Sequence, residues 1–113
     1  MDKPIPRDDT RCQVVLTTLP DRTAAETIAR ALVEARLAAC VQLVDGLRSI
    51  YRWDGRIEES AEIQLIAKTT PAAAPALVDR LRALHPYDVP EILTLDATAS
   101  ASYGAWLHAE TRP

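Results

Sequence analysis

Hydrophobic positions along the chain switch between two periods, and the switches mark out seven elements. Cys12 to Leu19 is a short β-branched and apolar run stopped by Pro20, which reads as a strand buried on at least one face. Asp21 offers a helix N-cap, and Thr23 with Glu26 offers a competing capping box. Ala25, Ile28, Leu32, Val33 and Leu37 then recur at helical spacing, with charged residues between them. From Cys40 to Trp53 the period becomes two: Val41, Leu43, Leu47, Ser49, Tyr51 and Trp53 take one face, and Arg48, Ile50 and Arg52 the other. Asp45-Gly46 interrupts this run without ending it, which predicts a bulge. Asp54-Gly55 predicts a two-residue hairpin turn, with a return strand from Arg56 to Thr69.

A second helix is expected from Thr70-Pro71, as N-cap and first helical residue, to His85-Pro86; Pro75 fits only if the helix proper starts nearer to it. Ile92–Ala97 reads as a short strand. A last helix capped by Ser100 or Ser102 is expected to bury Tyr103, Trp106 and Leu107. The order β-α-β-β-α-β-α is that of an α+β, ferredoxin-like βαββαβ sandwich with a C-terminal helix, its helices on one face of a four-stranded antiparallel sheet. The central hairpin is too long for it. Fourteen residues at about 3.3 Å each span roughly 46 Å, whereas a domain of this size has a radius of gyration near about 13 Å. Such a hairpin either curls over its own core or projects, and a projecting ribbon bearing Ile50, Tyr51, Trp53 and Ile57 invites covering by sister subunits.

Composition narrows the function. With 113 residues and 48% hydrophobic content, the chain makes one domain with a real core, here residues 11–113 after a leader at 1–10 expected to be disordered. Thirteen basic against sixteen acidic residues give −3, which argues against nucleic acid as a partner. No apolar run is long enough for a membrane span, and the charged, proline-bearing N-terminus lacks the apolar region of a signal peptide, so a cytoplasmic location is expected. Two cysteines are too few for a disulfide scaffold, and three glycines, at 46, 55 and 104, leave no phosphate-cradling loop and point to no organic cofactor. No motif places a nucleophile beside a base, so no enzymatic activity is expected.

Four blocks are specific together: Ala38-Ala39-Cys40-Val41; Ser49-Ile50-Tyr51-Arg52-Trp53-Asp54-Gly55-Arg56-Ile57; Lys68-Thr69-Thr70; and His85-Pro86-Tyr87-Asp88-Val89-Pro90-Glu91-Ile92. Their order and spacing resemble the CutA family of divalent-cation tolerance proteins, over about Gln13 to Leu107. The resemblance implies a ferredoxin-like subunit assembled as a homotrimer through the long hairpins, a trimer architecture similar to that of the PII signalling proteins, and a link to copper and other divalent cations. It also exposes a departure: Thr17 and Leu84 stand where some relatives carry cysteine and histidine.

The candidate site residues each have a structural reading beside the functional one. His85 is either a histidine at a helix C-terminus or a copper ligand through neutral imidazole. Cys40 is either a small buried hydrophobe or a thiolate ligand. Lys68, Tyr87 and Glu91 form either a structural hydrogen-bond cluster at a subunit seam or a pocket between subunits. Tyr51 and Trp53 read as trimer-interface packing, and Arg48, Arg52 and Arg56 as a solvated ladder against Glu58, Glu59 and Glu62. The leading expectation is a homotrimeric response protein that binds copper or a related divalent ion. The alternatives are a PII-like signalling trimer with a small anionic effector in its subunit clefts and a trimeric protein-interaction scaffold.

Overall fold

The computed structural model describes residues 8–112; of the expected leader, residues 1–7 lie outside the described ones. Asp8–Thr10 form a turn in which the Asp8 carboxylate accepts from the Thr10 N–H and hydroxyl, and the Thr10 carbonyl accepts from Ala99 N–H at 2.7 Å. Seven elements follow: β1 (Arg11–Leu19), α1 (Arg22–Glu34), β2 (Cys40–Trp53), β3 (Arg56–Thr69), α2 (Ala74–Leu84), β4 (Leu93–Thr98) and α3 (Ala101–Glu110). The strands make one antiparallel sheet in the order β2-β3-β1-β4, the α+β arrangement the sequence pattern implied.

Alternation along β1 and β3 decides which face is covered. Val15, Thr17 and Leu19 pair with Ala67, Leu65 and Ile63, and these residues point at the helices. The apolar stripes of α1 (Ala25, Ile28, Leu32) and α2 (Leu77, Leu81) close over them in one core, with Val15, Leu19, Leu32, Leu65, Leu77 and Leu81 wholly buried. Asp21 caps α1 by accepting from Ala24 N–H at 2.8 Å, which settles the choice between the two caps. The α2 cap corrects the sequence expectation. The helix begins at Ala74, so Pro75 falls in the first turn, where its missing N–H costs nothing; Thr70 instead stabilises the preceding turn by accepting from Ala73 N–H.

At α3, Ser100 is the cap, but only Leu107 of the three expected core residues is buried. Tyr103 and Trp106 stack on each other, ring centroids 5.6 Å apart, and remain exposed within the single chain. The face of α3 that does go inward carries Gly104, which lies so close to the Asp9 carbonyl that any Cβ there would collide with it.

Beyond Ile63, β3 leaves β1 behind and continues with β2 as a two-stranded ribbon. Gly46, at φ +80, takes up the extra residue of the bulge between Val44 and Leu47. Asp54 and Gly55, at φ 51 and 74, make the left-handed turn at the tip. The ribbon projects rather than curling: the molecule measures 63 × 26 × 24 Å and its radius of gyration is 16.0 Å, against about 13 Å for a compact domain.

Candidate functional site at the root of the hairpin

His85 ends α2 as its C-cap, with extended backbone because Pro86 excludes helical geometry for the residue before it. Its side chain is buried. Nε2 lies 2.9 Å from the Thr18 carbonyl and 3.0 Å from Thr17 Oγ1, while the backbone N–H of Tyr87 donates to Nδ1 at 3.1 Å. A carbonyl only accepts and a backbone N–H only donates, so these partners fix a neutral ring with its proton on Nε2. Burial pushes the pKa below the usual 6.5, partly offset by the Thr18 carbonyl and the Glu62 charge. The neutral ring therefore departs from the charged, helix-terminal histidine of the structural reading. The nitrogen lone pair that a metal would need is the one held by the Tyr87 N–H.

Tyr87, two residues on, turns toward the ribbon and donates its hydroxyl to Glu62 Oε2 at 2.9 Å. Burial and the Glu62 carboxylate together push its pKa up to about 12, so the hydroxyl keeps its proton throughout the physiological range. Its ring also leans on that of His85, centroids 5.0 Å apart. Across the ribbon, the Tyr51 hydroxyl bonds Ser60 Oγ at 2.8 Å, a diagonal cross-strand contact.

These residues border a cleft of about 770 Å³ between the ribbon and the 86–91 segment. Tyr51, Trp53 and Tyr87 supply aromatic walls, Pro86 and Val89 aliphatic ones, and Glu62, Asp88 and Glu91 the charge; among the described residues no lysine, arginine or histidine lines it. Of the pocket residues expected from sequence, Tyr87 and Glu91 meet here. Lys68 does not: it sits near the far end of β3, opposite Cys40, and donates to Gln42 Oε1 at 2.7 Å. Tyr87 takes Glu62 as its acceptor.

The ladder of arginines and glutamates also resolves differently. The register sets Arg52 against Ile57 and Arg56 against Trp53, so among the described residues only Arg48 forms a cross-strand pair, with Glu59 at 2.8 Å. Glu62 is thereby released to the cleft. Sequence reasoning placed it in the solvated ladder; no local signal in the sequence marked it for the cleft, which it reaches through its hydrogen bond with Tyr87.

For metal binding, Cys12 is buried with its thiol directed at the Ala97 carbonyl, and Cys40 is half-buried on the edge strand β2. Among the described residues no three His, Cys, Asp or Glu side chains gather closely enough to hold a metal ion. Thr17, where the resemblance puts a cysteine in some relatives, does meet His85, but as a hydrogen-bond partner. Among the described residues, the donors of a single subunit do not form a three-ligand metal site.

Comparison with known proteins matches this geometry. The family model described as CutA1 divalent ion tolerance protein matches residues 13–110. The divalent-cation tolerance protein CutA of Thermus thermophilus is 53% identical over 100 residues, covering 88% of this chain and 97% of its own. Among solved structures, CutA from Xylella fastidiosa superposes with a TM-score of 0.86 at 41% identity, covering 89% of this chain and 98% of that one. CutA1 from Oryza sativa gives 0.88 at 36% identity, covering 93% and 98%. The family-model match over residues 13–110 and the 53% identity to the Thermus thermophilus protein place this chain in the CutA1 divalent ion tolerance family.

Proposed function

We propose that the protein acts in divalent-cation tolerance as a homotrimer, and that copper or a related ion meets it where subunits join rather than inside one subunit. One observation carries the reading: the ribbon holds Ile50, Trp53 and Ile57 at 69%, 55% and 63% exposure. Large apolar side chains exposed on both faces of a projecting ribbon mark a surface that another chain covers. Copies of the same chain supply that surface, and with it neighbouring donors that a single subunit lacks. Cys40, on an edge strand and half-exposed, is the thiol such a seam can use; His85 takes part only after giving up its Tyr87 hydrogen bond. The role is binding rather than catalysis, since the one buried imidazole is held at both nitrogens. An anionic effector, the competing reading, meets three carboxylates and no basic side chain in the cleft.

Copper titration by calorimetry at pH 7.5 tests this on wild type, His85→Ala, Cys40→Ala and a ribbon variant, Ile50→Asp with Trp53→Asp. The expected result is binding retained in His85→Ala, weakened in Cys40→Ala and lost in the ribbon variant. Undiminished binding by a monomeric ribbon variant contradicts the seam.

A further inference from the structure

The cleft at the hairpin root carries carboxylates that neither assembly nor metal capture explains. Its carboxylates, Glu62, Asp88 and Glu91, share a space of about 770 Å³, within the size range of small-molecule sites. They do not converge: among the described residues no acidic group is tight enough to chelate an ion. Dispersed carboxylates with no basic neighbour on the lining leave a negative field spread over the whole cleft, which suits a charge that is itself spread out. The walls between them include the rings of Tyr51, Trp53 and Tyr87. Aromatic rings attract a cation through their quadrupole, most strongly when it is poorly hydrated, as guanidinium and quaternary ammonium are and a bare divalent ion is not. Glu62 is also held in place by the Tyr87 hydroxyl and is thus pre-set to face a donor.

We propose that this cleft is a binding site for a small organic cation, a guanidinium or quaternary ammonium group on an apolar stem. The stem lies along Pro86 and Val89 and the charged head lies between the carboxylates. The site rests on the trimer reading, because Tyr51 and Trp53 then stand at a seam and a neighbouring copy forms the outer wall.

Trp53 reports on the site directly. In a Trp106→Phe background it is the sole tryptophan, and its fluorescence can be followed while agmatine or choline is added to the assembled protein. The expected result is a saturable change with the organic cations and none with magnesium or a nucleoside triphosphate at equal ionic strength. Glu62→Gln with Glu91→Gln weakens binding by roughly tenfold or more, the size of lost charge-assisted hydrogen bonds. No saturable change, saturation by magnesium, or an unshifted curve in the double variant overturns the proposal. Light scattering on the same samples separates two failures: an intact trimer without response sinks this inference alone, whereas a monomer sinks the assembly reading beneath it. A double variant that falls apart while wild type ignores the cations shows that a neighbour's basic side chain already fills the cleft, which also overturns it.

Discussion

The body of the molecule and its ribbon obey the same alternation rule and reach opposite outcomes. In the body, β1 and β3 turn Val15, Leu19 and Leu65 inward, and α1 and α2 cover them until no surface remains. In the ribbon, β2 and β3 alternate just as regularly, yet Ile50, Trp53 and Ile57 stay mostly exposed because no helix extends that far. An apolar pattern states that a side chain will be buried but not by which chain. Where the pattern outruns the elements available to cover it, as in the ribbon, the proposal is that the sequence describes an interface.

Substitutions in the two regions should separate these meanings. The largest effect is expected in the body. Leu65→Ala removes a wholly buried side chain and should cost about 2–5 kcal/mol, lowering Tm by roughly 10 °C or more. Ile57→Ser in the ribbon should instead leave the far-UV circular dichroism of the body intact and shift the assembly toward monomer at a given protein concentration. Equal loss of secondary structure in both variants breaks the distinction.

A smaller effect is expected at the tip. Gly55 has φ +74 and open space around it, so Gly55→Val meets no clash and its cost is backbone strain alone, about 1–3 kcal/mol. That strain sits on the ribbon, so assembly should weaken before the body unfolds; sedimentation velocity across a dilution series reads the difference. Unchanged association would show that tip geometry is irrelevant to the interface.

The smallest effect belongs to His85, at the junction of the two regions. Its folded pKa lies below the unfolded value because burial disfavours the imidazolium. The unfolded chain therefore binds a proton first as pH falls. The stability contributed by the neutral ring is present above about 6.5 and is lost progressively below it, down to the folded pKa. Denaturant melts between pH 7.5 and 5 should show this loss in wild type and a flatter profile in His85→Gln. Identical slopes would mean that the ring is not held neutral.

Much of this was legible in the residues, and the gaps have physical causes. All seven elements, the bulge at Gly46 and the turn at Asp54-Gly55 follow from local period and from positive-φ demands, which need no tertiary information. The start of α2 was misplaced by three residues because Thr70-Pro71 carries a genuine capping signal, spent on the preceding turn. Tyr103 and Trp106 were expected in the core on hydrophobicity alone, but the inward face of α3 is set by how closely Gly104 approaches Asp9. The cleft was half legible. Tyr87 and Glu91 lie in one segment, whereas Glu62 joins them only through the register of β2 on β3 and the path of the chain after His85.

The claim that the ribbon is an interface is tested most directly by mass in solution. Light scattering on a sizing column at micromolar concentration should give about three times the chain mass of 12.4 kDa for wild type, and a folded monomer for the Ile50→Asp, Trp53→Asp variant. A wild-type monomer with an unchanged circular dichroism spectrum would contradict the account, since the ribbon would then stand uncovered in water.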